Sequence, residues 1–325
     1  MRLTLLSAAD LRTALPMPAA IAAMKSAFAE LSTGQANVPL RTALPVPSSG
    51  GLTLFMPALA PTGGLGAKIV SVFPHNPERG QPILHGLVIM LDATSGEPVA
   101  LCDGTFLTAW RTGAASGAAT DLLARPDAQV AALLGCGAQA QTQALALDAV
   151  RALAEMRVYA PHPDRVQQFI GEMQPLVGAA LVAASSSAEA VRDADIICAA
   201  TTSATPVFDG QLLKAGAHVN GVGSYTTQMQ EVDAVTVTRA RIFVDARESA
   251  LAEAGDLVIP MRAGATRAEA WVELGEVVAG LKPGRQSPDE ITFFKSVGVA
   301  VQDVAAASAA LTTAQRLGLG KVVDL

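Results

Sequence analysis

The residues best placed to do chemistry begin at Gly135. The run Gly135-Cys136-Gly137-Ala138-Gln139-Ala140 has the spacing Gly-x-Gly-x-x-Ala and follows the apolar stretch Val130–Leu134. Such a run, between a buried strand and a helix, is a dinucleotide cradle. The first glycine permits a tight turn, and the second lets a pyrophosphate approach backbone N–H groups at a positive helix end. The small third residue lets helix and strand pack closely. An NAD site usually carries an acid at the tip of the next strand, for the ribose hydroxyls. Here that strand ends Tyr159-Ala160-Pro161-His162-Pro163-Asp164-Arg165, with no acid at the tip. His162 and Arg165 could meet a 2′-phosphate instead, which favours NADPH over NADH. Other cofactor chemistry is poorly supplied. The 3 cysteines (Cys102, Cys136, Cys198) and 4 histidines are scattered without metal-ligand spacing, so no metal and no disulfide framework is expected.

The elements that must position this loop alternate between strand and helix. Val130–Leu134, Met156–Tyr159, Ala180–Ala183, Asp195–Ala199, His218–Val222 and Ala240–Val244 read as buried strands. Helices are expected at Ala138–Ala152, Pro163–Met173 and Ala188–Arg192. Apolar strands separated by helices predict a parallel doubly wound sheet. The first 115 residues read differently, with helices at Ala8–Ala14 and Pro18–Leu31. Strands follow at Thr53–Pro57, Gly66–Phe73, Leu84–Asp92 and Pro98–Cys102, with a hairpin turn at Asp92–Gly96. A small-residue helix, Thr108–Leu123, leads into the alternating region. A last Ala-rich helix, Val299–Leu317, is expected to return to the first part. The fold class is therefore α/β: a Rossmann domain (116–297) inserted in a mixed α+β domain (1–115 plus 298–325).

Composition bounds the rest. The chain has 325 residues, 50% of them apolar and only 4% aromatic, so Ala, Val and Leu must build its cores. Net charge is -6 and no Lys/Arg block occurs, which argues against a nucleic-acid partner. Mean hydropathy is high at +0.36, but polar residues interrupt every apolar stretch well before bilayer length. Gln139 and Gln141 follow Val130–Ala138, and Lys68 lies within Leu65–Phe73. The N-terminus turns polar at Ser7 and does not read as a signal peptide. A cytoplasmic enzyme without membrane contact is expected.

Longer stretches carry a resemblance. They are PLRTALPVP with Arg41, GAKIVSVF with Lys68, DATSGEPVALCDGTFLTAWRTGAAS with Arg111, LLGCGAQAQ, DADIICAATTSATPVF, GAHVNGVGS, ELGEVVAG and DEITFFKSVGVAVQDVAAA. In order and spacing the chain resembles the ornithine cyclodeaminase/mu-crystallin family along essentially its whole length. The resemblance implies a dinucleotide domain inserted in a substrate and dimerisation domain, a homodimer, and a small anionic amino-acid or imino-acid substrate. It assigns Arg41, Lys68 and Arg111 to the substrate carboxylate. A small anion in an apolar pocket needs paired positive donors, and Arg supplies a bidentate fork. It implies cofactor contacts at Thr112, Ala138, Gln139, Thr201, Thr202, Val222, Gly223, Lys295, Ser296 and Gly298. His85, in a strand beside the pocket region, is either a substrate contact and proton donor or a packed histidine.

One departure bears on the reaction. Deaminating members carry an Asp in a pattern like GxDxPGKxELD, where this chain reads Gly223-Ser224-Tyr225-Thr226-Thr227-Gln228-Met229-Gln230-Glu231-Val232-Asp233. Tyr225 stands where the carboxylate should be. Tyr, with a pKa near 10, is a poor general base at neutral pH. An imine reductase needs less, because a protonated imine carbon is already electrophilic. The expectation is an NAD(P)H-dependent reductase of cyclic imino acids, such as Δ1-pyrroline-2-carboxylate or Δ1-piperideine-2-carboxylate, with Lys68, Arg111 and Tyr225 at the reacting centre. A cyclodeaminase or amino-acid dehydrogenase using another base stays open, as does a non-catalytic dinucleotide-binding protein.

Overall fold

A computed structural model describes residues 2–324. The chain divides into two compact units. One runs to Arg111 and resumes at Val299, and the other is the contiguous segment Thr112–Gly298. The first crossing falls between Arg111 and Thr112, four residues earlier in the helix Gly104–Leu123 than expected, and the second falls one residue later than expected.

The discontinuous unit is built on a seven-stranded sheet. Its strands are β1 (Arg2–Leu6), β2 (Thr42–Val46), β3 (Gly51–Ala60), β4 (Gly64–Val72), β5 (Leu84–Leu91), β6 (Pro98–Asp103) and β15 (Lys321–Asp324), in the order β15-β1-β6-β5-β4-β3-β2. From β2 to β6 the sheet is an antiparallel meander. The β5–β6 turn forms because Asp92 Oδ1 accepts the Thr94 and Ser95 N–H groups at 2.9 and 2.8 Å. Three strands are additions to the expected set: β2 pairs antiparallel with β3, and β1 pairs parallel with β6 and antiparallel with β15. Side chains alternate strictly. Leu54, Met56 and Ala58 are buried, while Phe55 and Leu59 are exposed. The buried face is covered by the helix Ala300–Leu317, which lies on β3, β4 and β5 and against the helix Met17–Ser32. Its inward residues, Ala306, Ala307, Ala310 and Ala314, are small enough to let it sit close to the strands.

The inserted unit is an eight-stranded, wholly parallel sheet. Its strands are β7 (Val130–Leu134), β8 (Glu155–Tyr159), β9 (Ala180–Ala183), β10 (Ile196–Ala199), β11 (His218–Gly221), β12 (Ala240–Val244), β13 (Val272–Glu273) and β14 (Ile291–Lys295). Their order is β13-β12-β14-β11-β10-β7-β8-β9. Helices on both faces bury the central strands completely, which is why they read as unbroken apolar runs. The chain leaves β7 toward β8 and β9, then crosses back to β10. The topological switch point therefore lies between β7 and β10, and the loops at their carboxyl ends frame the crevice where such sheets bind ligands. This is a Rossmann unit inserted in an α+β unit.

Candidate active site

The loop after β7 has the backbone a dinucleotide requires. Gly135 adopts φ +112, and a Cβ there would fall 2.5 Å from the Ala200 carbonyl oxygen. Only glycine fits both the dihedral and the approach. Gly137 is the N-cap of the helix Ala138–Val150, no side chain caps it, and the space beside it is open. The first-turn N–H groups of that helix therefore point at the crevice with the positive end of the helix dipole. Gln139 Oε1 is buried without a hydrogen-bond partner among the described residues. The glycine turn and the uncapped helix end fit a dinucleotide pyrophosphate, whereas the Gln139 oxygen is an acceptor and answers to a donor group instead. At the tip of β8, His162 is the N-cap of the helix Pro163–Met173 with no side-chain cap bond, and both His162 and Arg165 are exposed.

Two further loops converge at the switch point, and buried acids hold them. Glu231 Oε1 accepts from the Thr201 N–H at 2.5 Å and the Thr201 hydroxyl at 2.8 Å. Glu231 Oε2 accepts from Gly223 N at 2.6 Å and Ser224 N at 2.8 Å. Gly223 is closed in so tightly that any side chain would collide with the Thr201 backbone. Asp256 carries the second layer, accepting from the Glu231 and Val232 N–H groups, from Ser224 Oγ at 2.8 Å and from Lys295 Nζ at 2.8 Å. Burial pushes the Glu231 carboxyl up, against the pull of the Lys295 ammonium. Tyr225 follows Ser224 on this loop and is half-buried. Val222 N bonds the Ala199 carbonyl at 3.0 Å, while Thr202 is exposed. Thr112, the first residue of the unit, is buried.

Lys295 needs correction as a cofactor contact. It is fully buried, and its ammonium is committed to Asp256 and to Ser224 O at 2.6 Å, so it braces the loop from inside. Ser296 and Gly298 are likewise held from behind: Asp245 Oδ2 accepts from Ser296 Oγ at 2.8 Å, Val297 N at 2.9 Å and Gly298 N at 2.7 Å. Sequence reasoning missed Glu231, Asp245 and Asp256. The one available signal was Asp245, an acid closing the apolar run Ile242–Val244.

The expected carboxylate ligands lie in the other unit. Lys68 projects from β4 onto the covered face, across the register from Met56 on β3 and Val88 on β5. Its Nζ meets Asp303 Oδ2 at 2.8 Å, and Arg111 Nε meets Asp303 Oδ1 at 2.8 Å. Arg111 NH1 also donates to Gln302 Oε1 at 2.5 Å. Both cations are buried, at 1% and 4% exposure. Burial first, then the nearby charges of Arg111 and Arg41, draws the Lys68 amine down to about 7, with Asp303 opposing them. Two buried cations thus share one carboxylate, an arrangement short of one anion, and the Arg41 charge also bears on Lys68. Neither Gln302 nor Asp303 was among the residues picked out from the sequence.

His85 is not part of this cluster. On β5 it lies three residues from Val88, an odd interval, so it projects from the opposite face of the sheet. There it is exposed, paired in register with Ser71. Among the described residues no group of three or more His, Cys, Asp and Glu side chains is placed to hold a metal ion.

The comparisons agree with this construction. The model of the ornithine cyclodeaminase/mu-crystallin family matches residues 2–315. A Δ1-pyrroline-2-carboxylate reductase from Bacillus cereus is 37% identical over 322 residues, covering 98% of this chain and 99% of that one. The solved Thermococcus litoralis Δ1-pyrroline-2-carboxylate reductase, in complex with NADH and L-proline, superposes with a TM-score of 0.94. It is 39% identical, covering 98% of this chain and 99% of that one. An archaeal alanine dehydrogenase dimer with bound NAD gives a TM-score of 0.93 at 32% identity, covering both chains fully. A Rossmann oxidoreductase architecture with a buried cationic cluster is the class these features define. The chain belongs to the ornithine cyclodeaminase/mu-crystallin family.

Proposed function

We propose that this chain is an NAD(P)H-dependent reductase of cyclic imino acids of the Δ1-pyrroline-2-carboxylate and Δ1-piperideine-2-carboxylate type, giving L-proline or L-pipecolate. The observation that carries this reading is the buried pair Lys68 and Arg111 on the single carboxylate of Asp303, with the Arg41 charge nearby. One substrate carboxylate supplies the missing anion and fixes the adjacent imine carbon. The dinucleotide supplies the hydride when bound. Reduction adds that hydride to the imine carbon and leaves a proton on the ring nitrogen. Orientation by the clamp is this chain's main contribution, since holding the reactants in place alone accounts for large rate factors.

A deaminating reaction asks for a base at the Tyr225 position, and a phenol is a poor one at neutral pH. A purely dinucleotide-binding protein has no use for two buried cations that share one carboxylate. At the tip of β8 the missing acid, with His162 and Arg165 exposed, supports NADPH as the preferred cofactor. The exposed row Phe55, Ile69 and Leu87, aligned across β3, β4 and β5, supports a homodimer formed through the open face of that sheet. Three free cysteines and the absence, among the described residues, of any helix long and apolar enough to cross a membrane fit a cytoplasmic protein. The test is absorbance of NADPH and NADH with each cyclic imine, beside NAD reduction with ornithine, lysine, proline and alanine. Cofactor oxidation with the imines is expected. Ammonia release from ornithine with no imine reduction refutes the reading.

A further inference from the structure

Asp303 and Gln302 stand side by side on the first turn of the Ala300–Leu317 helix, and both are fully buried. Asp303 divides its two oxygens between Arg111 and Lys68. Gln302 turns its Oε1 to Arg111, which has only donors to offer, and this fixes the orientation of the amide. Its Nε2 is left without a hydrogen-bond partner among the described residues. A buried N–H with no acceptor is costly to a fold, and an ion cluster built only for stability would balance its charges. Here both imbalances run the same way, since positive charge and donors are in excess. The helix N-terminus beneath them adds a field of the same sign.

We propose that Gln302 and Asp303 complete the carboxylate subsite: Asp303 is a positioning residue that holds Lys68 and Arg111 in one arrangement, and the Gln302 Nε2–H is a fourth donor to the bound carboxylate. This rests on reading Lys68 and Arg111 as the carboxylate clamp. The charged groups facing Lys68 are Asp303 from the Ala300–Leu317 helix, Arg111 from the Gly104–Leu123 helix and Arg41 from the segment before β2. Its sheet neighbours, Met56 and Val88, are uncharged. Asp303 is the one group among these that favours the ammonium form. Lys68 therefore carries its charge below about pH 7 and loses it above. Without the Asp303 carboxylate that loss moves to lower pH.

The experiment is calorimetric binding of L-proline and of pyrrole-2-carboxylate, a planar acid taken as a non-reducible probe. It uses the full chain with dinucleotide present, across neutral pH, beside KM and kcat for Δ1-pyrroline-2-carboxylate. Wild-type affinity is expected to weaken as pH rises through about 7. Asp303→Asn is expected to move that midpoint to lower pH and to weaken binding at neutrality about tenfold or more, with dinucleotide affinity unchanged. Gln302→Leu leaves the charges in place, so its midpoint stays while affinity falls by about three- to tenfold. An unchanged midpoint and affinity in Asp303→Asn overturns the positioning role. Where that variant folds poorly, unchanged affinity in Gln302→Leu overturns the proposal by itself. A wild type that binds both acids but reduces no imine refutes the reductase reading and leaves this pair standing. One that binds neither acid removes the subsite and the pair with it.

Discussion

Glu231 and Thr201, thirty residues apart, are joined twice: one carboxylate oxygen accepts both the backbone N–H and the hydroxyl of Thr201. The other oxygen grips Gly223 and Ser224, so a single side chain clasps the two loops that end β10 and β11. Glu231→Gln puts an amide N–H against backbone donors on one side. A loss of about 2–4 kcal/mol is expected, from weakened charge-assisted bonds and the new donor–donor contact. Dinucleotide affinity is expected to fall with it. Denaturant unfolding and a fluorescence titration check this, and stability equal to wild type would show that the clasp is dispensable.

Arg111 makes its contacts through both Nε and NH1. Its replacement by Ala is expected to raise KM for the imino acid by about 10- to 100-fold, the equivalent of roughly 1.5–3 kcal/mol for a charge-assisted contact. The dinucleotide lies with the other unit's loops in this reading, so its affinity stays. Steady-state kinetics at saturating cofactor decides the matter, and an unaltered KM takes Arg111 out of the site.

Tyr225 sits on the loop that Glu231 holds, where the resemblance implies an acid in deaminating members. Tyr225→Phe is expected to keep imine reduction within a few-fold of wild type. A loss of about 10²–10⁴-fold, the usual contribution of a general acid or base, would mean that the phenol donates or relays a proton. Tyr225→Asp is expected not to improve imine reduction. Ammonia assays with ornithine then read out any deamination that the new carboxylate introduces.

Arg165 stands one turn into the helix that follows β8, exposed beside His162. Arg165→Ala is expected to weaken NADPH about tenfold, the loss of one phosphate contact, and to leave NADH unaffected. Equal effects on both cofactors would place the adenosine 2′-phosphate elsewhere.

His218 supplies a pH dependence of stability. It is fully buried, with its ring nitrogens 2.9 Å from Thr292 Oγ1 and 3.2 Å from Asn220 Oδ1. Burial pushes its imidazole down from 6.5 to about 3. Between those values the unfolded chain binds a proton that the folded one refuses, so stability falls as pH drops from 6.5 toward 3. By pH 5 the loss is about 2 kcal/mol. In His218→Gln the unfolding free energy should decline by about that much less between pH 7 and 5, by urea titration. Identical declines in the two proteins would assign the acid sensitivity to other groups.

The inserted unit was largely legible because its strands are continuous apolar runs, and Gly135-x-Gly137 marks the turn where the backbone dihedral is special. What stayed hidden was long-range or buried and polar. Strand β1 needs β6 and β15 to be a strand at all, and nothing local in Arg2–Leu6 announces partners a hundred and three hundred residues away. Strand β14, at the centre of its sheet, follows a long irregular stretch and is only five residues long. Glu231, Asp256, Gln302 and Asp303 have types that a sequence suggests are solvated. Their burial became visible only once the fold gave each of them donors or cations to meet. His85 shows the converse: its residue type suggested chemistry, and strand parity turned it to the other face.

Lys68 and Arg111 emerge from the ribosome well before Asp303, and the whole of Thr112–Gly298 is made in between. The inserted unit is contiguous, so it can close while the rest is still being translated. The other unit cannot finish, since its covering helix and the counter-charge of its two buried cations come last. A chain released early, near Gly298, carries a closed dinucleotide fold beside a sheet with two unneutralised charges on its bare apolar face. Lys68 and Arg111 therefore gain their shared counter-charge only once translation has reached Asp303.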